Sequence, residues 1–169
     1  MITTATVYPI SAREAMRNWP TGMAVVTTAD REGWWWGCTV SSVASVSTKP
    51  PIVAVSIPRD TDGRQTFTSA DALAIHVLRA GQEAVAEHFV RSPTNFDDLQ
   101  TRHGMRVECG FESVPLLGDV ATRLECRLVN TLATGTNVLL LAEVIRARTG
   151  PGEPLVHVGE HYRRLARPA

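Results

Sequence analysis

Residues 37–42 read Gly37-Cys38-Thr39-Val40-Ser41-Ser42, with Ser45 and Ser47 following, so hydroxyls gather at the end of a β-like run. Small residues let backbone approach a flat ligand, while hydroxyls and N–H groups bond its carbonyl or phosphate oxygens. The same Ser/Thr pattern also suits the solvated face of an ordinary strand. Arg59, Arg64 and Thr66 lie downstream in a polar stretch. They could complete a phosphate clamp, because guanidinium forks match phosphate oxygens. Trp34, Trp35 and Trp36 stand directly before the hydroxyl-rich segment. Consecutive strand residues alternate faces, so at least one indole must point away from a core. Either two of them pack in the core or an interface while the third covers a neighbouring strand, or they form an apolar wall for a planar ligand or substrate.

Other chemistry is less supported. His76, His88, His103, His157 and His161 have no metal-ligand spacing, and Cys38, Cys109 and Cys126 make no CxxC pair, so no metal site is expected. Free buried thiols are the plain reading of the cysteines. No GxGxxG follows a strand, so a nucleotide would be bound without a Rossmann turn.

These residues need a scaffold of strands. Ser11 with Glu14 forms a capping-box signature for a short helix over residues 11–19, ended by Pro20, and a turn follows at residues 20–22. Strands are expected at residues 23–28 and 34–41 as a hairpin, then at 43–47, 52–57 and 73–78. Residues 58–69 read as a loop entering a short helix, and 81–90 and 95–102 as helices. The longest β-like runs are 120–129 and 137–147, joined across Thr134-Gly135-Thr136, with short strands at 155–158 and 162–165. What lies between is read as loop. Many strands without regular strand-helix alternation predict a mainly β protein with short helices, built as a closed antiparallel barrel.

The 169 residues suit one domain, taken as 11–169 with residues 1–10 as an N-terminal extension. Seventeen basic residues offset seventeen acidic ones, which leaves no net field to attract nucleic acid or anionic lipid. The first ten residues lack a signal-peptide pattern, and no apolar run has membrane-span length, so a cytoplasmic protein with no membrane partner is expected.

Five segments in one order resemble the flavin reductase family of FMN-binding split barrels: AREAMRNWPTGMAVVTT, GCTVSSVASVSTKPPIVAVSI, FTSADALAIHVLRAGQEAVAEHF, LECRLVNTLATGTNVLLLAEV and PLVHVGEHYRRL. The resemblance implies a homodimer with FMN, or FAD, at its interface. It implies hydride transfer from NADH or NADPH to flavin, with reduced flavin supplied to a partner monooxygenase in bacterial aromatic or secondary metabolism. Carried over by motif, Thr39, Val40, Ser41 and Ser42 contact the isoalloxazine and ribityl chain. Ser56, Arg64 and Thr66 lie toward the phosphate, Phe89 near the pocket, and Thr21 in the PTG turn.

The chain also departs from the family pattern. The usual Gly-Asp-His reads Gly135-Thr136-Asn137, the Asn usual after the first helix following the clamp reads His76, and the usual Tyr, Gly and Arg near the C-terminus read His157, Glu160 and His161. Asn137 and His161 therefore occupy the catalytic positions, with His161 a general acid or base beside Glu160. An alternative reading follows: a divergent natural-product enzyme acting directly on an organic substrate. It either keeps flavin but uses NADH poorly, or has lost flavin and serves as a ligand-binding or cofactor-independent protein.

Overall fold

A computed structural model describes residues 11–60 and 63–165. The N-terminal extension assigned to residues 1–10 lies outside the described residues. In chain order the elements are α1 (Ala12–Met16), β1 (Thr21–Gly22), β2 (Ala24–Ala29), β3 (Trp35–Val40), β4 (Ala44–Thr48) and β5 (Pro51–Pro58). Helix α2 (Arg64–Ser69), β6 (Ala72–Val77), α3 (Glu83–Arg91) and α4 (Phe96–His103) follow. After them come β7 (Val107–Cys109), β8 (Pro115–Leu117), β9 (Thr122–Thr134), β10 (Asn137–Thr149), β11 (Val156–Val158) and β12 (His161–Arg163).

The Ser11 hydroxyl accepts from Glu14 N at 3.2 Å and Ser11 N donates to the Glu14 carboxylate at 2.8 Å, completing the capping box of α1. Strand β2 is a run of apolar and β-branched residues because both of its faces are covered. Val26 joins a barrel core with Val55, Ile57, Phe67, Ile75 and Leu140. Val25 joins a second core with Val85, Phe89 and Leu99, under α3 and α4. The long pair β9–β10 carries register shifts at Leu141/Ala142 and Val144/Arg146, and such bulges bend and twist strands.

The expected closed barrel is open. One seven-stranded antiparallel sheet runs β3-β2-β6-β9-β10-β5-β4, and its two end strands do not pair. Gly37 N on β3 donates to Pro93 O at 2.7 Å, so the segment after α3 occupies the edge where a closing strand would bond. The gap is bridged by a side chain instead. The Ser42 hydroxyl donates to Ser56 O at 2.8 Å and accepts from Ser56 N at 3.0 Å, pinning the end of β3 to β5.

Two further expectations change. Residues 20–22 are not a free turn: Thr21 and Gly22 pair with His157 and Val156 of β11, which in turn pairs with β12. The supposed loop between α4 and β9 contains the β7–β8 hairpin, whose Leu116 packs with Val114 on Ala72 and Ala74 of β6. Both elements are too short to build a periodic signal, and they form because a larger surface receives them.

Candidate active site

The open seam of the barrel carries two neighbouring cavities. The larger, of about 790 Å³, lies between the α1–β1 segment and the end of β3. Thr21, Ser41, Ser42 and His157 supply its polar groups, and Met16, Trp19 and Val43 its apolar flank. Its rim is held by an Arg17–Glu160 ion pair of 2.9 Å and by Gly159 N donating to Arg17 O at 2.8 Å. His157 stands opposite Thr21 in the ladder, with its ring edge-on to Tyr162 at 5.6 Å. Burial, then Glu87 and Glu83, push the Tyr162 phenol up, keeping it a neutral donor.

The second hollow, about 380 Å³, is bordered by Trp36, Arg59, Asp60, Gly63, Arg64, Gln65 and Thr66. Arg59 is spent on structure: its guanidinium donates to Gly135 O at 3.1 Å and its N–H to Thr136 O at 2.8 Å. Arg64 makes no ion pair with a carboxylate among the described residues. Trp36 Nε1 is buried without an acceptor. A Cβ at Gly63 would overlap the Trp36 indole, and its φ of +77° is a left-handed conformation that favours glycine. The hollow is thus walled by an indole and sets the Arg64 guanidinium and the Thr66 hydroxyl beside the Asp60 carboxylate.

A hydrogen-bonded chain joins the two cavities. Thr136 Oγ1 donates to Asn137 Oδ1 at 3.0 Å, Asn137 Nδ2 to Ser56 Oγ at 2.9 Å, and the Ser56 backbone holds the Ser42 hydroxyl. Both amide ends of Asn137 are engaged, and an amide does not titrate near neutral pH. Asn137 therefore orients Ser56 and moves no proton.

The residues expected from sequence are thus partly gathered. Thr21, Ser41 and Ser42 line the cleft, Arg64 and Thr66 the hollow, and Ser56 and Asn137 the link between them. Three others have their side chains in structural positions. Thr39 Oγ1 donates to Ala86 O at 2.7 Å, Val40 is in the barrel core, and Phe89 is in the second core against Gly37 and Phe96. His161 is exposed on β12 and lines neither cavity, whereas His157, one strand earlier, faces the cleft.

The tryptophans do not form one wall, because strand alternation sends them apart. Trp34 is 68% exposed before β3 begins, Trp35 donates to Ser113 O at 3.1 Å and meets Phe96 edge-on, and Trp36 borders the hollow. The exposed apolar wall of the cleft is instead Trp19 with Met16. The sequence signal for them was present: Met16 ends a capped helix one turn long and Trp19 stands directly before the PTG turn.

A flavin fits this donor set. The cleft volume lies in the range of cofactor sites. Ser41 and Thr21 can bond ring carbonyls and a polyol, and Arg64 and Thr66 suit an anionic phosphate.

An antiparallel barrel split along one seam, with hydroxyls and a guanidinium along it, defines a flavin-mononucleotide-binding split barrel. The chain belongs to the flavin reductase like domain family, which matches residues 16–166. It is 36% identical over 157 residues to an NADH-dependent FMN reductase of Agrobacterium fabrum, covering 93% of this chain and 86% of that one. The solved NADH:FAD oxidoreductase SgcE6 of Streptomyces globisporus superposes with a TM-score of 0.84 at 31% identity, covering 95% of this chain and 99% of that one. The same oxidoreductase, in complex with NAD and FAD fragments, gives a TM-score of 0.80 at 33% identity, covering 91% and 90%. The reductase component of a 4-nitrophenol monooxygenase from Rhodococcus opacus is 28% identical over 144 residues, 85% of this chain and 74% of that one.

Proposed function

We propose that this protein is an NADH-dependent flavin reductase that binds FMN, or FAD, along the barrel seam and releases reduced flavin to a separate monooxygenase. The observation that carries the reading is the hydrogen-bonded chain from Ser42 of the cleft through Ser56 and Asn137 to Thr136, whose carbonyl accepts from Arg59 N at the border of the Arg64 hollow. A bound flavin would supply two-electron chemistry, accepting hydride from a dihydronicotinamide.

Each residue has a definite task. Thr21, Ser41 and Ser42 orient the planar group in the cleft, and Arg64 and Thr66 hold its phosphate. Trp19 and Met16 cover the exposed side of the cleft and exclude water from the reacting face. Asn137 fixes the Ser56 hydroxyl. His157, the histidine lining the cleft, is positioned to move a proton there. The relatives' use of NADH, and the place of one of them in a monooxygenase, support the reductant and the partner.

The protein functions as a homodimer. Leu139 stands opposite both Ser56 and Leu132, Leu141 opposite Ala54, and Ala54 opposite Ala44, so these side chains share the face away from the barrel core. Leu132 is 57% exposed there. This apolar face adjoins Ser56 and Asn137, so a second copy seated on it would shield the seam and complete the flavin site. No helix among the described residues is long and apolar enough to cross a membrane. A cytoplasmic location accords with a reductant drawn from the NADH pool.

The test is the visible absorption spectrum of the purified protein with FMN, followed by NADH in the same cuvette. Retained flavin bands that bleach on NADH addition are expected. Protein that takes up flavin but leaves it oxidised would favour direct action on an organic substrate. Protein that neither retains nor responds to FMN would refute both.

A further inference from the structure

At the end of β9–β10 opposite the Gly135 turn, a separate hollow of about 160 Å³ is bordered by Arg106, Arg123 and Arg148, with Glu108 and Asp119. The three guanidiniums come from three segments: the approach to β7, the start of β9 and the end of β10. Arg123 and Arg148 stand directly opposite each other in the ladder. Like charges so placed repel, and the sheet tolerates them best when something negative lies between.

Arg123 is the sharper case. Its side chain is only 14% exposed, because it lies on the sheet face that the β7–β8 hairpin covers. A guanidinium carries five N–H donors. Its single ion pair, to Glu108, spans 3.8 Å, which is too long for a hydrogen bond. Its other cross-strand neighbour, His76, is fully buried, donates from Nδ1 to Val25 O, and brings no negative charge. Arg106 and Arg148 pair with no carboxylate among the described residues. Three cations therefore face two carboxylates around a space large enough for one tetrahedral oxyanion.

We propose that this hollow is a binding site for a phosphoryl group, held between the forks of Arg123 and Arg148 and closed by Arg106. Guanidinium forks bond phosphate oxygens in pairs, and a dianion there relieves the Arg123–Arg148 repulsion while supplying the acceptors that Arg123 lacks. The site lies at the opposite end of the long strands from the flavin seam and does not depend on the flavin reading. The phosphoryl group comes either as the free ion or as the end of a phosphorylated metabolite whose remainder stays in solvent.

Isothermal titration calorimetry of the intact protein with inorganic phosphate, inorganic diphosphate and ADP tests this. Saturable binding of at least one is expected, weakened about tenfold in Arg148→Ala and in Arg106→Ala, as for loss of one charge-assisted hydrogen bond. Both substitutions are at exposed positions, and FMN uptake by each variant should stay unchanged, which shows that the fold and the seam are intact. Arg123→Gln should abolish binding, and if it fails to fold the two exposed variants still decide. Preference for inorganic phosphate identifies the free ion, and preference for ADP identifies a nucleotide-borne group. Equal affinity in wild type and both exposed variants, or no saturable heat with any of the three ligands, would overturn the proposal.

Discussion

Asn137 holds the position where the family resemblance places an imidazole, yet its amide is bonded at both ends, to Thr136 and to Ser56. It can orient a hydroxyl but cannot hold a proton. Thr136→Asp combined with Asn137→His should therefore raise NADH consumption in the presence of FMN, measured at saturating flavin. An unchanged rate would show that proton transfer at this point does not limit turnover. His76 makes a different kind of statement. Burial pushes its pKa down to about 3 from an ordinary 6.5, so the native protein keeps it neutral. Above the ordinary value both folded and unfolded chains carry it uncharged. As pH falls below that value the unfolded chain takes up a proton that the folded chain refuses, so stability declines toward about pH 3 and then levels. His76→Asn should flatten this slope, read as the change in urea midpoint between about pH 7 and about pH 5.

Among the elements, β3 determines most of the site. Its central Gly37 lies so close to the Phe89 ring that a Cβ would overlap it, and the same residue donates its N–H to Pro93. Gly37→Ala should cost roughly 1–3 kcal/mol of unfolding free energy, the usual penalty of overpacking, measured by denaturant titration. Because β3 delivers Ser41 and Ser42 to the seam, the variant should also bind FMN more weakly. The helix pattern of residues 81–90 was readable because Val85, Ala86 and Phe89 repeat at helical spacing, and they do pack as one buried stripe. That stripe also explains Phe89: a large apolar residue on the inner face of an amphipathic helix belongs to the core it creates.

For the whole molecule, the apolar face of β4, β5, β9 and β10 needs a cover, and the proposed second copy supplies it. Leu139→Asp should convert the proposed dimer to a monomer of half the mass by static light scattering and lower FMN retention. A variant that stays dimeric would place the interface elsewhere. The sequence by itself determined the strand-rich class, the capping box, nearly every strand and helix longer than three residues, and the family, because these depend on local periodicity and on motif order along the chain. It also singled out Ser41, Ser42, Arg64 and Thr66. Strand patterning alone suggested closure and the family resemblance a split barrel; the tertiary structure shows how the barrel stays open, with Pro93 taking an edge bond remote in sequence. It alone parted the three tryptophans, committed Thr39 to α3, and exchanged His161 for His157 as the cleft histidine. Each of those outcomes depends on which distant backbone lies opposite a given side chain, a relation that strand pairing creates and that spacing along the chain does not encode.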